Sequence, residues 1–219
     1  MREKQMRKIT AFWKQERRYL LGGIVLGMIL FLCWGFISER IRQETVHTLS
    51  SKVVRFHVLA NSNSQEDQAL KLKVRDRILD YLAQQMQDVS SKEETIAFLT
   101  EHQQEICLLA QEEILEEGYQ YSVHTSLAWE DFPEKTYGDY TFPAGFYDAL
   151  RIEIGEAVGE NWWCVLYPQM CLTDMVYEED TTDALLQEVL TPREYALVTE
   201  DKPQEKPQIT FALKEWLAS

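Results

Sequence analysis

Nineteen consecutive uncharged residues, 19–37 (YLLGGIVLGMILFLCWGFI), constrain this chain more than any other feature. As a helix rising 1.5 Å per residue they span roughly 28 Å, close to the hydrocarbon thickness of a bilayer. The stretch is apolar on every side, whereas a small soluble domain shields only one stripe of a helix. Its flanks add direction. Residues 1–18 carry Arg2, Lys4, Arg7, Lys8, Lys14, Arg17 and Arg18 against Glu3 and Glu16, a local charge of +5. The positive-inside rule keeps that end in the cytoplasm and sends everything after Ile37 across. Two fates fit the pattern, an uncleaved anchor and a cleaved signal peptide. The segment is long for a signal core, and no A-x-A site follows it. In either case the remainder is exported, membrane-anchored or secreted.

The whole chain of 219 residues has a net charge of −14, so the part beyond residue 18 holds −19. A surface of that sign repels nucleic acid and anionic lipid, and no nucleic-acid partner is expected. The simplest reading of such a charge is a well-solvated surface. With 45% hydrophobic and 11% aromatic residues the exported part has enough apolar mass for a core.

Residues 38–51 are polar, a linker that begins as helix. Residues 52–60 (KVVRFHVLA) alternate, with Val54, Phe56, Val58 and Ala60 on one face and Val53, Arg55, His57 and Leu59 on the other, which predicts a strand with one dry and one mixed face. Ser64 with Asp67, and Ser91 with Glu94, have the spacing of helix N-caps. The first helix has its stripe at Leu70, Val74, Ile78 and Leu82, joined by Leu79 and Met86. The second has its stripe at Ile96, Leu99, Ile106, Ala110 and Ile114, and Gly118 is placed to stop it. The period then changes to two. Strands are expected over 119–129, 136–142, 146–154 and 161–167, with turns at 143–145 and 155–159. Residues 181–190 return to a helical pattern, Thr191-Pro192-Arg193-Glu194 opens a short helix, and 209–217 alternate as a last strand. The class is α+β: an N-terminal transmembrane or signal helix, then one domain over 52–217 with helices packed on a mostly antiparallel sheet.

Templates for catalysis are missing. There is no G-x-S-x-G, H-E-x-x-H or P-loop, and no dinucleotide-binding glycine pattern. The four histidines have no acidic or cysteine partner at metal-ligand spacing, so neither a metal nor another cofactor is expected, nor a small-molecule substrate. Acidic residues flank Gly155 and Gly159, which disfavours a phosphate cradle and favours a plain turn. One polar group can be read in two ways. A hydrolase would use Ser62 or Ser64 as nucleophile with His57 as base. The simpler reading makes Ser64 a cap, Asn61 a turn former and Asp67–Lys71 a surface ion pair.

Cys164 and Cys171 flank a break at Tyr167-Pro168. A tight turn centred there sets Leu166 against Gln169, Val165 against Met170 and Cys164 against Cys171, at a separation a disulfide can bridge. Export permits the bond, and a pair of reduced core thiols is the alternative. Trp162 and Trp163 point to opposite faces of their strand, with Cys164 and Leu166 beside Trp162, and Val165 and Tyr167 beside Trp163. One of the two is left for burial beneath a helix or for a partner.

Two blocks, RFHVLANSNSQEDQALKLKVRD (55–76) and FPAGFYDALRIEIGEAVGENWWCVLYPQMC (142–171), together with the membrane segment, resemble the stage II sporulation protein R family of endospore-forming bacteria. The resemblance implies a messenger without catalysis of its own, exported into the space between forespore and mother-cell membranes. There, members activate a membrane-embedded aspartic-type peptidase that processes the precursor of the mother-cell sigma factor E. Within the matching blocks, Arg55, His57, Asn61, Trp162 and Trp163 are the candidates for contact with that protein partner.

Overall fold

A computed structural model describes residues 2–171 and 179–199. Two compact units divide the chain between Thr45 and Val46. The first consists of the 2–45 part of helix α1 (Arg2–Ser50), whose last residues belong to the second. Residues 21–50 of it include a window of mean hydropathy 2.2, none of which is buried against protein, as a membrane or signal helix requires. The segment 38–51 is therefore helical almost to its end.

The second unit is built on a mixed four-stranded sheet ordered β2-β5-β1-β6, from β1 (Val54–Leu59), β2 (Val123–Phe132), β5 (Gly145–Ile154) and β6 (Asn161–Tyr167). β1 lies parallel to β5 and antiparallel to β6, and β2 is antiparallel to β5. The fold class is α+β, with one parallel pairing at its centre. The two blocks that carry the family resemblance thus lie side by side, β1 between β5 and β6. The strand expected over 136–142 is a small hairpin, β3 (Lys135–Tyr137) and β4 (Tyr140–Phe142), reversed at Gly138 with φ 58°. A left-handed residue at that point suits glycine.

Helices α2 (Gln65–Gln85) and α3 (Lys92–Glu116) cover one face of the sheet. Ser64 and Ser91 cap them by accepting from the amides of Asp67 and Glu94. Gly118, at φ 84°, ends α3 by donating to Leu115 O, and Tyr119 N donates to Ile114 O. Leu70, Val74, Ile78 and Leu82 of α2, and Leu99, Ile106, Ala110 and Ile114 of α3, pack on Val54, Phe56, Val58, Leu150, Ile152 and Ile154. The opposite face carries a second core of Leu49, Val53, Phe132, Phe142, Tyr147, Ala149 and Val165. Leu186 and Leu190, from α4 (Glu179–Val189) and its end, and Val198 of α5 (Pro192–Val198) complete it. Thr191 opens α5 with a full capping box to Glu194.

Cys164 and Cys171 form a disulfide with Cα atoms 6.3 Å apart. The expected ladder beyond the turn is absent: residues 168–171 are bends, and Met170 N donates to Pro168 O. Proline has no amide with which to start a returning strand. In β6 the register shifts opposite Val54 and Arg55, which moves Tyr167 to the α2–α3 side with Trp162 and Leu166. The strand read over 209–217 lies outside the described residues.

Candidate functional site

The second core covers only part of its sheet face. Where it stops, four residues in register across the sheet, Ser126, Arg151, His57 and Trp163, form one row. The next row on that face is His124, Glu153, Leu59 and Asn161. Alternation along each strand places these side chains opposite the α2–α3 core.

Trp163, half-buried, is the aromatic centre of this surface. His57 stacks on it with ring centroids 5.0 Å apart and planes at 8°, and Phe132 meets its edge at 4.8 Å. Lys135 Nζ sits 5.8 Å from its ring centre. His57 itself is buried. Its Nε2 lies 3.0 Å from Glu130 Oε2, yet neither ring nitrogen has a directed hydrogen bond among the described residues. Burial first, then the positive charge of Arg151, pushes the His57 pKa down to about 4, with Asn161 opposing and Arg55 adding to the fall. The ring is neutral near pH 7, so its contact with Glu130 is not an ion pair. Burial raises the Glu130 carboxyl, and Arg151 opposes that rise. Arg151 pairs with Glu153 and approaches Glu130 at 3.7 Å.

Beneath the row, Arg55 is fully buried. Its guanidinium lies between four aromatic rings: Phe132 at 4.8 Å, Tyr147 at 5.0 Å, Phe142 at 5.5 Å and Tyr137 at 5.7 Å. Nε donates to Cys164 O and Nη2 to Tyr137 Oη, whereas Nη1 has no partner among the described residues. Burial pushes the Arg55 pKa down and the Tyr147 phenol up to about 12, so the cage is neutral and holds the cation by ring faces and not by a carboxylate. Phe132 links the two groups, since the ring that lies under the Arg55 guanidinium also meets His57 and Trp163 edge-on.

Asn61 lies at the end of β1 and organises a different structure. Its Nδ2 donates to Asp67 Oδ2 at 2.8 Å, and its Oδ1 accepts from Glu156 N at 3.0 Å. Ser62 Oγ also donates to Asp67 Oδ2, at 2.5 Å. Burial raises the Asp67 carboxyl, but hydrogen bonds from Ser62, Asn61, Tyr121 and Ser64 together hold it below its usual value. Asp67 and Lys71 do not pair as the spacing suggested; Lys71 Nζ donates instead to Gln68 Oε1 and Glu160 O. Ser62 and Ser64 are both committed to this loop, while His57 contacts Trp163, Phe132 and Glu130, so the structure does not assemble a serine–histidine pair. Trp162 is on the other face, edge-on to Phe56 at 5.6 Å and under Arg75 at 5.0 Å.

Of the five candidate contact residues, the fold brings Arg55, His57 and Trp163 into one cluster and separates Asn61 and Trp162 from it. Glu130, Phe132, Lys135 and Arg151 join that cluster without having been singled out in the sequence. Alternation on β2 and β5 carried the signal, since Glu130 and Arg151 fall opposite Leu127 and Leu150. A groove of about 520 Å³ lies elsewhere, between Ser90, Tyr167 and Leu185. Both cations that line it are already paired, Lys52 with Glu194 and Lys92 with Asp148. Among the described residues no three His, Cys, Asp or Glu side chains converge as metal ligands.

The profile of the stage II sporulation protein R family (spore_II_R) matches residues 50–177, all four strands of the sheet and both covering helices included. The chain belongs to this family. It is also 32% identical over 200 residues to "Stage II sporulation protein R" of Bacillus subtilis (strain 168), covering 84% of this chain and 89% of that one. No solved structure matches. Family membership places the chain in sporulation, and every residue of the Trp163 cluster falls within the matched span.

Proposed function

We propose that this family member is an exported messenger that acts by contact. From the space between forespore and mother-cell membranes it activates a membrane-embedded aspartic-type peptidase, which then processes the precursor of sigma factor E. The observation that carries this reading is the Trp163 surface. A large aromatic side chain is left part-exposed, yet its orientation is fixed by stacking on His57 and by the edge contact with Phe132. Rigid tryptophans with a polar rim are favoured anchors of protein interfaces, because little side-chain entropy remains to be lost on binding. Lys135, Arg151, Glu130 and Glu153 form that rim. A family role in sporulation and an N-terminal apolar helix support export to a membrane-bounded compartment. The envelope-hydrolase reading lacks this kind of support, since Ser62 and Ser64 are bonded within their loop.

Trp163→Ala expressed in sporulating cells tests the proposal. Sigma-factor precursor should accumulate unprocessed while the chain is exported in normal amount and melts within a few degrees of the native protein. Normal processing by that variant would refute the assignment of this surface.

A further inference from the structure

The connection from β5 to β6 must pass over the end of β1, which lies between them. Six residues, 155–160 (GEAVGE), make the crossing. Every one of their amides is bonded: Gly155 N to Ser122 O, Ala157 N to Ile154 O, Val158 N to Asn61 O and Gly159 N to Ala60 O. Glu156 N and Glu160 N donate to the side chains of Asn61 and Asn63. The fit is tight. A Cβ on Gly155 would stand 2.2 Å from Asn61 Oδ1, and one on Gly159 would stand 2.3 Å from Ser62 O. Gly155 and Ala157 both have positive φ, 60° and 52°.

A turn held in this way has no amide left for an anion, and little freedom to lose. Its apex nevertheless presents Val158 at 74% exposure, more than any other large apolar side chain described in the second unit. Exposed Glu156 and Glu160 stand on either side of it. The turn is also continuous with the surface described above, because Glu153 and Asn161 flank Leu59 in the last row of the sheet.

We propose that the β5–β6 turn is a preformed docking knob. Val158 enters an apolar socket on the protein partner, and Glu156 and Glu160 pair with Lys or Arg at that socket's rim. The inference rests on the contact reading above and adds the chemistry of the partner's surface. Fixing the turn in advance removes the ordering cost that a mobile loop would bring to binding. The charge of the exported part disfavours two other occupants, a second copy of this chain and an anionic lipid surface, both of which would repel the two glutamates.

The test uses full-length chains in sporulating cells, with processed precursor quantified against exported chain. Val158→Asp, and Glu156→Lys combined with Glu160→Lys, should each lower processing roughly tenfold or more, as truncation of an interface anchor does. Val158→Leu keeps the apolar knob and should stay within about threefold of native. Trp163→Ala separates the two ideas. Loss of processing with Trp163→Ala alongside native processing with Val158→Asp overturns the knob and leaves the contact reading in place. Native processing in cells that lack the chain altogether overturns that reading. A photo-crosslinking residue at position 158 should capture a membrane protein other than this chain. Capture of lipid or of a second copy alone, or no capture while a crosslinker at 163 succeeds, overturns the socket.

Discussion

Acidification should destabilise the domain built on the four-stranded sheet through His57, by an amount the structure sets. The ring is buried against Trp163 and Phe132, and its pKa falls from the ordinary 6.5 to about 4. The unfolded chain therefore binds this proton more readily than the folded one at every pH between those values. Stability from this group is fully present above pH 6.5 and is lost as pH falls toward 4, at up to about 1.4 kcal/mol per pH unit and about 3 kcal/mol in all. Glu130 works in the opposite sense. Its carboxyl is raised by burial, so the folded state takes up that proton first and regains some stability as pH falls. Urea denaturation of the full-length protein in detergent micelles, followed by tryptophan fluorescence at pH 7.5, 6.5, 5.5 and 4.5, measures the sum. The same series on His57→Phe, which keeps an aromatic ring beside Trp163 but cannot titrate, isolates the histidine. The native chain should lose on the order of 2–3 kcal/mol more than the variant between pH 7 and pH 4.5. Two curves that run parallel over that range would refute the assignment of a buried neutral imidazole.

Three further outcomes follow from the geometry. Gly159→Ala forces a methyl group onto the Ser62 carbonyl and should cost about 2–4 kcal/mol through loss of the Gly159–Ala60 and Val158–Asn61 bonds, whereas Gly118→Ala meets open space and strains only φ, costing about 1 kcal/mol; denaturant midpoints of the two variants give the comparison. Cys164→Ser with Cys171→Ser opens a loop with a sequence separation of 7. In the chain-entropy model that lowers stability by about 2.5 kcal/mol, and reductant should lower the native protein to the same level. Ser62→Ala removes one hydrogen bond to Asp67 and should cost about 1 kcal/mol by the same denaturation assay while processing continues.

Much of the scaffold was legible in local pattern, because caps, stripes and strand alternation are written in neighbouring residues. Ser64, Ser91 and Thr191 cap the helices where their spacing placed them, and the stripe Leu70–Val74–Ile78–Leu82 faces the core. The two faces of β1 were also apparent. What local pattern does not contain is which distant residue covers the mixed face. Arg55 is buried because Phe132, Tyr137, Phe142 and Tyr147, at least 75 residues away in sequence, fold over it, and His57 because Phe132 and Trp163 cover its ring. The parallel pairing of β1 with β5 likewise depends on a crossover that no periodicity records. In β6 the register shift moved Tyr167 to the other face, since a bulge breaks the alternation from which the faces were read. The cysteine pair was found for its compartment and spacing, although the hairpin invoked to join it does not form.

The central claim is that the exported domain works on a peptidase by touching it from the far side of a membrane. Co-expression in a host that does not sporulate tests this directly. Peptidase and precursor are combined with the full-length chain, with a form lacking residues 1–37 that stays in the cytosol, or with no chain. Precursor should be cut only with the exported chain. Equal cutting with the cytosolic form or without any chain, or cutting by the chain when the peptidase is omitted, would contradict the account.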